Sequence, residues 1–561
     1  MTQKTGRFAI IEQFLADGID YMFGNPGTVE QGFLDAVSDY PQMKYILTLQ
    51  ESVAVLMGDG YARATKKPAL VQIHSTPGLG NAIGAIYQAN RGHSPLVIIG
   101  GDAGIKYLPM DAQMAGDLVA FARPVTKWAT MVQDSASLLR TIRRAIKIAS
   151  TPPMGPVYVC LPADILDQPV VEEVHPTFVP STRVVPEQAV LDQSAAWLSA
   201  AKTPMIFIGD GVAYSGAQDE LARVAELLGA EVWGVDSGEL NMAYNHTLYQ
   251  GQTGHMFGLS SDPIASKGDV NLIVGTYMVP EVFPDLGNIY APGAKTIHID
   301  LNAYEIAKNH PVDIGMVSDP KLTLGGLART LEQQMTPAQK QAAHDRSRQI
   351  QEQKEKKIAA QKQADQAVFN QVPLHAAQFM EALAKVLPKD AVIFDEALTS
   401  SPELTRYIIP STHEHFFQTR GGSLGVGIPG ALAAKLANPE KTVLGFTGDG
   451  GSMYTIQALW TAAHHHIGAK IIICNNHSYM LLELNILQYW KEQAVPEHTF
   501  PNPFLLSNPA IDFVKMAQSM GVEAVRVENP ADIAPAIEKM LSDDKPFLID
   551  LVITDHLPGT K

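Results

Sequence analysis

Residues 441–450 read KTVLGFTGDG and residues 470–476 read KIIICNN. Each is a short apolar run ending in a polar cluster. A strand covered on both faces carries apolar residues at consecutive positions, so both runs predict buried parallel strands. Gly448-Asp449-Gly450 and Asn475-Asn476 then stand at the strands' carboxyl ends, the edge where open α/β sheets bind ligands. Asp449 offers a carboxylate and Asn476 an amide oxygen. Such hard oxygen ligands suit an octahedral Mg²⁺ that also grips a diphosphate. The glycines let the backbone approach phosphate oxygens closely.

Gly-Asp-Gly alone is a weak signal, because the tripeptide also begins at Gly58 and at Gly209. The Gly58 copy lies in a helical pattern, SVAVLMGDGYARA, and the Gly209 copy follows a strand-like MIFI. Neither has a spaced asparagine pair downstream. Both read as turn or packing chemistry, and only the copy at Gly448 reads as a metal–diphosphate anchor.

Outward from that anchor, the chain repeats one architecture. Residues 1–180 alternate helical and strand patterns: GRFAIIEQFLADG, YMFGNPG, ESVAVLMGDGYARATKK, PALVQIH, a glycine-rich loop, NAIGAIYQANRG and SPLVIIGGD. This βαβ alternation predicts a doubly wound parallel sheet. TFVPSTRVVPEQ reads as a linker. Residues 188–345 restart the pattern with PMIFIGD, AEVWGVD, VNLIVGT and KTIHID as strands. Residues 337–370 are highly charged without an apolar stripe, so 346–372 reads as a solvated helical linker. Residues 373–561 form the third unit, with AVIFDE, HFFQTRGG, KTVLGFTGDG, KIIICNN and PFLIDLVI as strands. The expected fold is α/β, with three doubly wound, mostly parallel-sheet domains.

Bulk properties narrow the function. A chain of 561 residues is too long for a single core. Its net charge of −16, without a basic stripe, argues against nucleic-acid binding. No apolar run approaches the ~18 residues of a membrane span. The N-terminus lacks a basic region followed by an apolar core, which makes the cytoplasm the expected location. Cys160 and Cys474 both end strand-like runs and read as small buried apolar residues. His464-His465-His466 closes a helical pattern, where consecutive residues face different directions. His413 and His415 flank Glu414 without further spaced ligands, so zinc is not expected at either cluster.

The ordered motifs resemble the thiamine diphosphate (ThDP) dependent decarboxylase and carboligase family along nearly the whole chain. They are FGNPGT at 23–28, LQES at 49–52, HSTPGLGNAIGA at 74–85, HSPL at 93–96, GGSLGVGIPGA at 421–431, GDG at 448–450, ALWTAA at 458–463 and NNHSY at 475–479. Within the family, the chain is most similar to benzoylformate decarboxylase and also resembles acetolactate synthase. The resemblance implies a pyrimidine-binding first domain, a central domain and a diphosphate-binding third domain.

It also implies roles. Taken alone, Glu51 at a helix start reads as a cap or dipole-stabilising residue. By resemblance it bonds the cofactor's pyrimidine ring nitrogen, so that the exocyclic nitrogen can take the thiazolium proton. Leu424 matches the side chain that wedges between the two cofactor rings, though alone it reads as a core leucine. The Gly422 carbonyl would accept from the pyrimidine amino group. Asp449, Asn476 and the Ser478 backbone oxygen would hold Mg²⁺. Gly450, Gly451, Thr399 and Tyr479 complete the implied cofactor contacts. Family members often carry a hydroxyl where Gly451 stands, which moves that phosphate contact to Ser452 or removes it. His74 and Thr28 match residues that handle the substrate.

Two departures bear on the substrate. The segment VGTYMVPEVFPDLG lacks the family's second active-site histidine and places Glu281 and Val282 in its neighbourhood. LLELNILQYW at 481–490 departs from the family's aromatic lid. The expected reaction is decarboxylation of a 2-oxo acid to an aldehyde, or carboligation to a 2-hydroxy ketone. The alternatives are an acetolactate-synthase-like carboligase, a 2-hydroxyacyl-CoA-type lyase and a non-catalytic ThDP-binding protein. A nicotinamide dehydrogenase is disfavoured because the G-x-G-x-x-G fingerprint is missing. No feature secures FAD, ADP or CoA in the central domain. The resemblance implies that Glu51 and Asp449 of one site come from different chains, so a homodimer is the minimum and a homotetramer is expected.

Overall fold

A computed structural model of the protein describes residues 4–555. The first sheet holds β1 (Tyr21–Gly24), β2 (Lys44–Leu47), β3 (Ala69–Ile73), β4 (Leu96–Asp102), β5 (Trp128–Met131) and β6 (Val157–Pro162). The second holds β7 (Pro204–Ile208), β8 (Glu231–Gly234), β9 (Tyr249–Gln252), β10 (Val270–Val274), β11 (Lys295–Asp300) and β12 (Ile314–Val317). The third holds β13 (Val392–Glu396), β14 (Phe416–Gln418), β15 (Val443–Gly448), β16 (Lys470–Asn475), β17 (Glu523–Val527) and β18 (Phe547–Val552). Every pairing within the three sheets is parallel.

The first sheet runs β2-β1-β3-β4-β6-β5 and the third β14-β13-β15-β16-β18-β17, which is one strand order used twice. In that order the connections change direction between the first and third strands of each unit, the switch point where doubly wound sheets open a crevice. The central sheet, β12-β11-β10-β7-β8-β9, has its switch point between β7 and β10.

The strand runs read from the sequence all form. Those it missed, β5, β9, β12 and β17, are edge strands of their sheets. Their residues are only partly buried, so the apolar runs are short. The glycine-rich loop expected after β3 is instead the first turns of a helix, Thr76–Arg91. Pro77 is tolerated there because the first turn needs no N–H donor. The charged stretch forms one helix, Pro337–Ala367, opened by a Thr336–Gln339 capping box. It is tied down more firmly than a free linker. Lys354 donates to the carbonyls of Tyr244, His246 and Tyr249 of the central domain, and Asp365 pairs with Arg406 of the third.

The first and third domains share one continuous apolar core. The helices Glu51–Thr65 and Gly427–Ala437 cross there on small residues. A methyl added at Gly60 would lie 2.9 Å from the Gly430 Cα. The Gly58 tripeptide is therefore packing chemistry, as expected. Gly60→Val gains helix propensity worth under ~1 kcal/mol, but overpacking costs about 1–3 kcal/mol. The expected result is a lower apparent melting temperature, measured by differential scanning fluorimetry.

Arg63 joins all three domains. It donates to Glu239 Oε1 at 2.8 Å, the Gly238 carbonyl at 2.6 Å and the Gln418 carbonyl at 2.9 Å. Asp210, in the Gly209 tripeptide, pairs with Arg420 of the third domain. Both cysteines are free and buried. Among the described residues, no helix is long and apolar enough to cross a membrane.

Candidate active site

Two half-sites occupy the equivalent switch points of the first and third sheets. In the first, β1 runs into the Asn25-Pro26-Gly27-Thr28 turn and β3 runs into His74. The register pairing Gly24 with Gln72 brings those two ends side by side. Gly27 is required there, because any β-carbon would collide with the His74 ring.

Glu51 starts the helix Glu51–Thr65, after an N-cap Gln50 whose side chain accepts from the Ser52 and Val53 amides. The helix dipole favours a carboxylate at this end. Glu51 is 5 % exposed. Its Oε1 accepts from Asn25 Nδ2 at 3.0 Å and its Oε2 from Asn81 Nδ2 at 3.1 Å. A methyl added at Gly78 would sit 2.8 Å from the His74 Cβ and 3.0 Å from Glu51 Oε1. The glycines of the STPGLGN segment thus let its helix close over both residues.

His74 Nδ1 lies 3.0 Å from Glu30 Oε2, and Glu30 Oε1 accepts the Gly101 amide at 3.1 Å. Burial raises the Glu30 carboxyl above its ordinary range, and the neighbouring imidazole opposes that rise. Thr28 is exposed and opens the 3₁₀ turn Thr28–Glu30. The first half-site therefore brings together Glu51, His74 and Thr28. It adds three residues the sequence reading did not single out: Asn25, Glu30 and Asn81. Asn25 and Asn81 lay within quoted motifs, but their partner Glu51 sits far from either in the chain.

In the third domain, Glu396 pairs in register with Thr447, and Gly448 with Cys474. This aligns the ends of β13, β15 and β16. Asp449 is 4 % exposed and opens a short helical turn, Asp449–Ser452. Its Oδ1 accepts the Gly450 amide at 2.7 Å, while its Oδ2 is buried without a partner. Burial pushes its pKa up to about 6 against the backbone amides that oppose the shift. A buried carboxylate oxygen without a donor in the fold is free to accept a cation or a donor from a ligand.

Asn476 is 6 % exposed, and its Oδ1 accepts the Ser478 amide at 3.0 Å. Asn475 serves structure instead, bonding Asp550 at 2.9 Å and the His477 amide at 3.2 Å. Gly450 makes room for the Tyr479 ring, which any β-carbon would strike. The Ser452 hydroxyl donates to the Asp449 carbonyl at 2.8 Å and is fully buried, so it braces its own turn. Thr399 lies in the turn Leu398–Ser400, entered through Leu398 at φ +49°.

Leu424 sits on a loop that needs glycine on both sides. Gly421, Gly422 and Gly425 have φ of +72°, +75° and +92°. A methyl added at Gly422 would meet nothing within 4 Å, so the loop borders open space there. Under the loop, Glu396 is 1 % exposed and accepts from the Gly425 and Gly427 amides. Burial pushes its pKa up to about 7.

The segment around Glu281 splits its residues between burial and exposure. Glu281 is 6 % exposed and bonds the Ser261 hydroxyl, while Val282 and Phe283 are exposed. Phe283 stacks on Phe257 with ring centroids 5.3 Å apart. With Leu482, Ile486 and Tyr489 of the helix Met480–Glu492, the pair lines a cleft of about 560 Å³. Phe504, on the same wall, accepts the Tyr479 amide at 2.8 Å, which connects the cleft to the Asp449 half-site. Phe257 carries no sequence motif, and its contact with Phe283 exists only in the fold.

The other expectations resolve locally. His465 Nε2 accepts the Leu47 amide at 2.9 Å, tying the third domain to the first, and His464 stacks on Trp460. His415 lies 2.8 Å from Lys441 Nζ. At the central switch point, a cavity of about 420 Å³ is lined by Arg91, Asp210, Thr276, Asp300 and Arg420 among others.

Three family profiles match in order. Residues 4–121 match the thiamine pyrophosphate enzyme N-terminal TPP binding domain, 191–327 its central domain and 400–551 its C-terminal TPP binding domain. The chain belongs to the thiamine pyrophosphate enzyme family. It is 28 % identical to a benzoylformate decarboxylase from Pseudomonas aeruginosa, over 98 % of both chains. It is 26 % identical to the acetolactate synthase large subunit of Lactococcus lactis subsp. lactis, over 98 % of this chain and 92 % of that one. The structure resembles a ThDP-dependent 4-hydroxybenzoylformate decarboxylase from Rhodococcus jostii RHA1, with a TM-score of 0.82 at 26 % identity. That similarity covers 98 % of this chain and 99 % of the other. The protein is thus a ThDP-dependent enzyme of the decarboxylase and acetolactate synthase type; Glu51 and His74 fall within its N-terminal TPP binding domain and Leu424, Asp449 and Asn476 within its C-terminal one.

Proposed function

We propose that this enzyme decarboxylates a 2-oxo acid with a bulky apolar substituent, using ThDP held through Mg²⁺. The product is an aldehyde, or a 2-hydroxy ketone when a second carbonyl compound is the acceptor. The observation that carries this reading is the orphaned, buried Asp449 Oδ2 beside Asn476. A carboxylate, an amide oxygen and the Ser478 carbonyl form the hard oxygen set that Mg²⁺ takes while keeping positions for phosphate oxygens. Bound there, ThDP supplies a carbon nucleophile and an electron sink for the bond to CO₂.

The protein's side chains divide the remaining work. Glu51 holds the pyrimidine end in its reactive tautomer. His74, oriented by Glu30, moves protons at the reacting oxygen, and Thr28 offers a hydroxyl to the substrate carboxylate. The cleft between Phe283 and Tyr489 takes the apolar substituent and excludes water from it. Glu51 bonds only within the first domain and Asp449 only within the third, so the complete site is proposed to form between two chains. The exposed apolar residues Leu49, Tyr87, Met453, Tyr454 and Leu505 fit a surface covered by a second copy. The expected assembly is a homodimer or a homotetramer, measured by sedimentation.

An acetolactate-synthase-like carboligase is the second reading, favoured by the near full-length similarity to that group. A screen of 2-oxo acids for CO₂ release, with product analysis, separates the two. Aromatic and branched acids giving aldehyde support the first reading. Turnover of pyruvate alone, with a 2-hydroxy ketone acid as product, supports the second. No release from any 2-oxo acid overturns both.

A further inference from the structure

Glu396 ends β13, beside the strand that leads into Asp449, and its side chain is out of solvent contact. Its carboxylate accepts three neutral donors: the Gly425 amide at 2.5 Å, the Gly427 amide at 2.7 Å and the Thr447 hydroxyl at 3.1 Å. These donors belong to separate pieces of the cofactor site. Gly425 follows Leu424 directly. Thr447 stands two residues before Asp449. The chain leaving Glu396 itself reaches Thr399 within one turn. Gly451 abuts the same group, where an added methyl would lie 3.5 Å from Oε1.

A buried carboxylate without a cation is a costly way to fill a core, and an apolar side chain of similar volume would fill it at lower cost. What only a carboxylate supplies is two acceptor oxygens for two N–H groups that face it together. We infer that Glu396 is a positioning residue. It clamps the glycine loop 421–427, and with it Leu424 and the Gly422 carbonyl, at a set distance from the Asp449 turn. This rests on ThDP being the bound group.

Glutamine is nearly the same size but turns an NH₂ donor toward one of the two amides, so Glu396→Gln breaks the clamp without leaving a void. Two measurements on the reconstituted holoenzyme test this. One is ThDP affinity in Mg²⁺ by calorimetry. The other is deuterium exchange at the reactive thiazolium carbon, without substrate and at saturating ThDP, read by acid quench and NMR. Saturation removes any effect of affinity, so slowed exchange reports ring geometry rather than folding.

Glu396→Gln is expected to weaken ThDP binding and slow exchange by about tenfold each, the equivalent of one charge-assisted hydrogen bond. Thr447→Val, which keeps both amide bonds, is expected to lose about two- to fivefold in affinity. Wild-type affinity and exchange in Glu396→Gln overturn the inference. If that variant does not fold, wild-type values in Thr447→Val overturn it. A wild-type protein that binds no ThDP overturns the cofactor assignment instead, which keeps the two failures distinct.

Discussion

Glu51→Gln is expected to bind ThDP within a few-fold of wild type and to lose turnover by roughly 10²–10⁴-fold, the scale of a lost proton-transfer group. The geometry explains why the two effects separate. Glu51 lies in the half-site of the first domain, bonded to Asn25 and Asn81, whereas the proposed diphosphate anchor, the Asp449 turn, belongs to the third domain. Glutamine keeps the size of the side chain, and amide flips at Asn25 and Asn81 can satisfy it. It cannot serve as the carboxylate that bonds a protonated ring nitrogen. Calorimetry for ThDP and a coupled CO₂-release assay measure the two quantities. Full activity in this variant would refute the assigned role. Loss of binding equal to the loss of turnover would show that Glu51 serves affinity instead.

The second large effect has opposite signs with and without cofactor. Asp449→Asn is expected to weaken Mg²⁺-dependent ThDP binding by about 10²-fold, since loss even of a residue that only supports a metal ligand costs 10–100-fold. The same change should stabilise the cofactor-free protein. With its folded pKa raised from 3.8 to about 6, the Asp449 carboxylate destabilises the fold as pH rises above its unfolded value. That penalty grows to about 2–3 kcal/mol above pH 6. Asparagine carries no charge and no such penalty. At pH 7.5 the apo variant should therefore melt above apo wild type, and the difference should vanish near pH 4. Added ThDP and Mg²⁺ should raise the melting temperature of wild type by more than that of the variant. An apo variant less stable than wild type at pH 7.5 would mean that Oδ2 has a partner of its own.

Asp449 stood out as a candidate before any fold was known because it sits in a locally constrained motif, whereas Glu51 and Leu424 alone read as a helix cap and a core leucine, and only the family resemblance gave them expected roles. Buried parallel strands must be apolar along their length, and the phosphate-facing turns that follow must be glycine-rich. Both rules act within about ten residues, so KTVLGFTGDG and KIIICNN carry them intact. Glu396 ends an equally clear strand, AVIFDE, yet nothing nearby marks it as a clamp. Its partners arrive from elsewhere in the domain, Gly425 and Gly427 from the loop and helix start that follow β14 and Thr447 from β15. Glu281 and Phe283 show the same limit. Two positions of one loop, separated only by Val282, differ in what they pack against, and only the contacts with Ser261 and Phe257 decide which of them lines the cleft.

The amino-acid order was thus sufficient for the three α/β units and most strands, since these depend on local periodicity and on glycine where the backbone must turn tightly, and its ordered motifs were sufficient for the thiamine diphosphate family. Folding supplied the rest. The repeated strand order puts the two half-sites at matching switch points, and the apolar core shared by the first and third domains holds those sheets together. Asn25, Asn81 and Glu30 reach Glu51 and His74 because parallel pairing aligns strand ends that lie far apart in the chain. Hydrogen bonds between such ends leave no periodic trace in sequence.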